Sequence, residues 1–306
     1  MITVVVLSGR LGAVLPAAAL SALRTAEAVY AGEGVAPESW SELGVDGPAP
    51  AVVQDGAVVI TTDASAYPGA HVITTPEPLG AALLDAAAVM HRLRSPGGCP
   101  WDAEQDHDSL RQYLVEETFE LLEAIEDGDR AAMREELGDV LLQVLFHSRV
   151  AAEDAEDPFD IDAVASELVA KLVGRHPHVF EGNDPAVHDA TSQQHRWEEL
   201  KQAEKKRESS VDGVALGQPA VALAAKLVQR TARAGFPVDL LPEGDDTGTT
   251  LFAVTALSKL AGEDPETELR QVSRRFAANV REAEAKARAE GLDSLGAEDW
   301  RRFSPS

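Results

Sequence analysis

Four acidic side chains between positions 116 and 139 have the types and the spacing to hold a divalent cation. The segment reads EETFE (116–120), a short polar turn, then ELGD (136–139). At 100° per residue on a helix, Leu114, Glu117 and Leu121 all fall within about 40° of Leu110. Glu117 therefore occupies the middle of an apolar stripe, where a core residue is expected. Glu120 lies one turn on, on the same side. On a second helix, Glu136 and Asp139 border the stripe made by Met133, Val140 and Val144. Gly128, in the turn Asp127-Gly128-Asp129, is eight residues from both Glu120 and Glu136, and eleven from both Glu117 and Asp139. If the two helices fold back as a hairpin, paired carboxylates face one another about 12 Å and about 16 Å from the bend.

Such a patch is unfavourable alone, because like charges repel and burial penalises the ionised form. A hard cation removes both costs, and oxygen ligands with room for water and phosphate select Mg²⁺, with Mn²⁺ as a substitute. No His/Cys set suited to zinc accompanies them. A single pair of glutamates at i, i+3 is usually solvated surface. Two pairs, symmetric about one turn and with one member inside an apolar stripe, favour the metal.

The elements that must position these residues are helical. The spacing and capping signals predict helices over about 79–94, 109–126, 130–153, 161–175 and 192–207. Asp108, Asp129 and Asp160 are the predicted N-caps, and Thr191 with Gln194 reads as a capping box. The stretch SPGGCPWD (95–102) is predicted as a loop, and 209–217 as a linker. Further helices are expected at about 219–234, 250–261 and 265–290, the last with a solvated charged face. Before position 76 the pattern differs, with β-type runs at 2–7, 58–62 and 72–75 among Gly, Pro and Ala. The fold class expected is mainly α, with a small α/β N-terminal appendage.

Lys and Arg total 27 against 52 Asp and Glu, a net charge of −25. That balance argues against nucleic-acid polymers and anionic membranes as partners. It does not exclude anionic substrates, since a divalent metal inverts the local field. The lone Cys99 forms no intrachain disulfide and fits a reducing compartment. No apolar run is long enough to span a bilayer, and the N-terminus lacks the basic flank and apolar stretch of a signal peptide. A cytoplasmic location is the expectation.

The residues EETFE and ELGD resemble the EExxE…ExxD signature of the MazG family of nucleoside triphosphate pyrophosphohydrolases, in the all-α NTP pyrophosphatase superfamily. GCPWDAEQDHDSLRQYLVEETFELLEAI (98–125), RHPHVF (175–180) and RWEELK (196–201) resemble that family as well. The resemblance implies a four-helix bundle core with Glu117, Glu120, Glu136 and Asp139 as metal ligands, and Glu116 close by. It matches Lys171 and Arg175 to the family's KxxxR pair, whose i, i+4 spacing lets both reach phosphate oxygens. Trp101 and Trp197 are candidates to stack on the base, an arrangement tolerant of any base. His176 and His178 are as open to a structural role as to a catalytic one and stay outside the site, and Cys99 reads as a packed thiol. The implied reaction is in-line attack of a metal-activated water on the α-phosphorus of an NTP, giving NMP and diphosphate. Glu116 or Glu120 is the candidate general base, and the sequence does not choose between them. A homodimer and a house-cleaning role on non-canonical or damaged nucleotides complete the implied picture.

The flanks depart from that pattern. The domain boundaries expected are 1–75, 76–208 and 209–306. ALSALRTAEAVYAG (19–32) resembles the early helix and strand of tetrapyrrole methylase domains, but 1–75 is too short for the whole domain and is expected to be a remnant without methyl transfer. The segments 216–239 and 250–260 resemble a degraded second MazG repeat. In that alignment Asp246 replaces the Glu and Thr249 the Asp of ExxD, Arg275 and Asn279 replace the KxxxR pair, and the EExxE helix is missing. The region is expected to be structural and non-catalytic. The rival readings are a specialised pyrophosphatase, a nucleotide or metal sensor without turnover, and a purely structural acidic scaffold.

Overall fold

The β-branched run near the N-terminus folds as β1 (Thr3–Val6), followed by α1 (Ala19–Thr25), β2 (Val29–Ala31), β3 (Val58–Thr61) and β4 (His71–Thr74) in the computed structural model, which describes residues 1–182, 187–205 and 208–305. The strands form one parallel sheet in the order β2-β3-β1-β4, with Val4 beside Val59 on one side and Val72 on the other. Strand β3 is buried along its whole length, as an unbroken β-branched run in a parallel sheet should be. Val5, Leu7, Val29, Trp40, Val58 and Ile60 make the core of this layer.

The chain divides into two units, Met1–Leu172 and Val173–Ser306. After the sheet, the first unit continues with α2 (Ala82–Leu93), α3 (Pro100–Glu104), α4 (His107–Asp127) and α5 (Arg130–Ala151). Helix α6 (Ile161–Gly174) contains the boundary between the units. Helices α4 and α5 form an antiparallel hairpin, and α2 packs on α5 through a core of Met90, Leu110, Leu145 and Phe146. The second unit carries α7 (Pro177–Phe180), α8 (Ala190–Lys205), α9 (Ala220–Arg233), α10 (Thr247–Leu260), α11 (Pro265–Ala289) and α12 (Ala297–Phe303). Within it α9 packs on both α10 and α11, and α12 on α11. The fold is thus mainly α with a small parallel sheet. No helix among the described residues is long and apolar enough to cross a membrane.

Three local expectations are corrected. The N-cap of α4 is Asp106 rather than Asp108. The Asp106 carboxylate accepts from the Ser109 N–H at 2.8 Å while the Asp106 N–H donates to Ser109 Oγ, a reciprocal box that Asp108 cannot make from inside the first turn. Helix α8 is entered through Asp189, which accepts from the Ser192 N–H at 2.7 Å, so Thr191 lies inside the helix. Within the predicted loop, α3 forms because Pro100 stands at its first position, where proline's fixed φ suits a helix and its missing N–H costs nothing. Asp129 and Asp160 cap α5 and α6 as predicted. The predicted end of α8 at 206–207 lies outside the described residues.

Candidate active site

Local chemistry fixes the α4–α5 bend. Gly128 adopts a left-handed conformation (φ 68°), and its N–H returns to the carbonyls of Ala124 and Ile125. Asp129 follows at once, its carboxylate accepting from the N–H groups of Ala131 and Ala132. A two-residue connection of this kind leaves the helices no choice but to run antiparallel. Their inward faces then carry Glu117 opposite Asp139 and Glu120 opposite Glu136. One carboxylate oxygen from each of Glu117, Glu136 and Asp139 lies within 4.8 Å of the other two, all three residues being half-buried. Glu120 is exposed at the edge of this group, close enough for its charge to act on Glu117. Glu116 is exposed and stands about 100° round the helix from Glu117.

The electrostatics match the geometry. Burial, then the charges of Asp139 and Glu120, push the Glu117 carboxyl above the ordinary range. Burial, then Glu120 and Asp139, do the same to Glu136. These carboxylates are held together against their own repulsion, with no cationic side chain among the causes of either shift. The donor set is oxygen only, which suits a hard divalent cation. Opposite ligands of Mg²⁺ lie about 4.2 Å apart, so the spread of the three oxygens fits one ion after small side-chain adjustments.

The other predicted residues fall into two places. Trp101, on α3, is 49% exposed and meets Tyr113 and Phe146 edge-on, with centroids 6.0 and 6.3 Å away. Tyr113 is one turn from Glu117 on α4, so Trp101 stands beside the carboxylate-bearing hairpin. Lys171 is exposed near the end of α6. In the second unit, Arg175 is 7% exposed, with its guanidinium 5.0 Å from the Trp197 ring centroid. His176 meets the same ring edge-on at 5.1 Å and lies 5.7 Å from His178. Trp197 is therefore packed by Arg175 and His176.

Sequence reasoning missed Arg94. Its buried guanidinium pairs with Glu153 at 2.7 Å, donates to the carbonyls of Asp102 and Gln105, and lies over Phe146. It ties α3, and with it Trp101, to the distal end of α5. Gly98 assists, since a Cβ there would stand 2.1 Å from the Leu93 carbonyl oxygen. The paired glycines of the loop were the available signal for that close approach; nothing in the sequence flagged Arg94.

The hairpin lies within a segment that a known domain family matches. The model of the MazG nucleotide pyrophosphohydrolase domain matches residues 105–180, and that of the MazG N-terminal domain matches 2–77. A nucleoside triphosphate pyrophosphohydrolase of Mycolicibacterium smegmatis is 41% identical over 276 residues, covering 82% of this chain and 81% of its own. One from Mycobacterium tuberculosis is 45% identical over 217 residues, 71% of this chain and 62% of its own. The nucleoside triphosphate pyrophosphohydrolase/pyrophosphatase MazG of Thermotoga maritima is 35% identical over 232 residues, 68% and 88% of the two chains.

Proposed function

The chain belongs to the MazG family of nucleoside triphosphate pyrophosphohydrolases, and from that premise we propose that it hydrolyses a range of NTPs and dNTPs to the monophosphate and diphosphate at the 116–139 hairpin, with Mg²⁺ as its cation and Mn²⁺ as a substitute. The observation that carries this reading is the meeting of Glu117, Glu136 and Asp139 oxygens within 4.8 Å. Together with Glu120 they are the residues that would hold the cation. Bound there, it supplies charge neutralisation for the triphosphate and lowers the pKa of water.

The chain's own groups account for the remaining requirements. Water adds to the α-phosphorus, the bond from that phosphorus to the bridging oxygen breaks, and diphosphate leaves. Glu120 and Glu116, both exposed, are the candidates to take the water's proton on a carboxylate oxygen. Lys171 and Arg175 are the proposed phosphate contacts, and Trp101 and Trp197 the proposed base contacts. The open half of Trp101 favours it as the stacking face, because Trp197 is already flanked by Arg175 and His176. Stacking without an edge-reading partner gives little base selectivity, which suits clearance of non-canonical or damaged nucleotides.

A homodimer belongs to the same reading. Leu114, Val115, Phe119, Leu122 and Ile125 of α4 and Leu137 of α5 are exposed, apolar side chains that a second copy would cover. Residues 209–306 are proposed to be a non-catalytic helical domain. The deciding experiment measures diphosphate release from each common NTP and dNTP with Mg²⁺, for the parent chain, Glu120→Gln and Asp246→Asn. Loss in Glu120→Gln alone supports a single working site in the hairpin. Nucleotide binding without diphosphate release by the parent would establish a sensor instead.

A further inference from the structure

The inward stripe of α5 does not end at its carboxylates. Glu136, Gln143 and His147 fall within about 40° of one another round the helix, with Asp139 beside them. Gln143 is 4% exposed, and its Oε1 has no hydrogen-bond partner among the described residues. His147 Nε2, one turn farther, is likewise buried and unpartnered, while its Nδ1 meets His107 Nδ1 at 2.8 Å. That His107 contact fixes the stripe's direction, since it joins α5 to the start of α4. A buried amide oxygen left open keeps its full desolvation penalty, and a leucine or methionine would fill the same volume without that cost.

The direction of the side chain tells what Gln143 faces. Helical Cα–Cβ bonds tilt towards the N-terminus, and the N-terminus of α5 lies at the hairpin bend. Gln143 therefore leans towards Asp139, one turn nearer the bend. By the hairpin's symmetry it stands opposite Tyr113, and Glu117 is one turn from Tyr113 on the same helix face. Gln143, with its open amide oxygen, thus stands one turn from the end of the carboxylate group that faces away from the bend.

From this geometry we infer that Gln143 is a positioning residue of the cation centre. Its amide oxygen would accept a hydrogen bond from a water that completes the cation's shell beside Asp139, and so fix the orientation of that water. The inference rests on the cation reading of the hairpin. Groups of this kind, which act on a metal through one intermediate, are worth roughly 10–100-fold in metal affinity or activity.

The test compares the full chain with Gln143→Met, which keeps length and helix propensity, and with Gln143→Leu as the second apolar variant. Mn²⁺ binding is followed by electron paramagnetic resonance without nucleotide, beside kcat and KM for diphosphate release and the melting temperature in EDTA. The expected result is Mn²⁺ affinity weakened about 10-fold or more, kcat lowered with KM for nucleotide little moved, and a melting temperature in EDTA unchanged or higher. Variants that melt higher yet bind Mn²⁺ and turn over within twofold of the parent would overturn the inference and leave Gln143 a tolerated core amide. A parent chain that binds no Mn²⁺ overturns the cation centre itself, and this role with it, a result distinct from the variants' behaviour.

Discussion

The α4–α5 hairpin and the α9–α10 pair treat carboxylates in opposite ways. In the hairpin, α5 is capped by Asp129, and Glu136 and Asp139 stand about two turns inside the helix, where their neighbours are other carboxylates. In the second unit, the residue that the proposed repeat would align with Glu136 is Asp246, and it is itself the cap of α10. Its carboxylate accepts from the Thr249 N–H at 3.0 Å and from Thr249 Oγ1 at 2.6 Å. Those bonds pull its pKa below the ordinary range, whereas burial and like charges push Glu117 and Glu136 above it. An acid at a helix N-terminus is satisfied by backbone N–H groups and the helix dipole. An acid in mid-helix facing other acids stays in need of a cation. The comparison teaches that position along the helix, more than residue type, decides whether a carboxylate is structural or available for chemistry.

The largest expected difference lies in activity. Asp139→Asn should lower diphosphate release by more than about a hundredfold, since a direct ligand should exceed the effect of an outer one. Asp246→Asn should stay within twofold of the parent, and activity loss there would break the comparison. Cation binding comes next. Mg²⁺ at 100 times its dissociation constant should stabilise the parent by about 2.7 kcal/mol, read as a shift in denaturation midpoint over EDTA. Glu117→Gln should abolish that shift while raising the midpoint in EDTA, because it removes a charge held among like charges.

Smaller still is the effect of the cap. Asp246→Ala should lower the denaturation midpoint slightly through loss of the cap with no change in Mg²⁺ response, and Asp246→Asn by less, because asparagine also caps. The pH dependence sharpens the contrast in sign. A carboxyl whose folded pKa is raised binds more protons folded than unfolded, so its contribution falls as pH rises from the ordinary value near 4 through the folded value. Metal-free parent should therefore lose stability over that interval, and Glu117→Gln should lose less. Asp246 has the opposite sign: its contribution is complete above the ordinary value and disappears as pH falls through the folded one. Denaturation midpoints across pH in EDTA, compared between parent, Glu117→Gln and Asp246→Asn, separate the two.

Much of the hairpin was legible because its instructions are local. Asp129, Gly128 and the apolar period of 110–121 act over one or two turns, and the equal distances from Gly128 follow from counting alone. Asp108 and Thr191 misled because several acceptors compete for each helix start, and the winner is the one whose partner three residues on returns the bond. The apolar stripe of α4 was only partly informative: Leu110 is buried, while Leu114 on the same stripe remains exposed.

The sequence by itself determined the helical class, two helices near 109–126 and 130–153 with a turn between them that suits a hairpin, and the acids that line it. Each depends on backbone geometry and contacts between residues close in the chain. Only the tertiary structure decided that Glu117, Glu136 and Asp139 meet while Glu120 rides the edge, and that Arg94 reaches Glu153 to fasten the Trp101 loop. It alone set the sheet order β2-β3-β1-β4, left the Oε1 of buried Gln143 unpartnered among the described residues and showed Asp246 as a cap. Apart from the cap, these depend on approaches between segments distant in the chain. The cap is the exception, a bond between residues three apart in the chain.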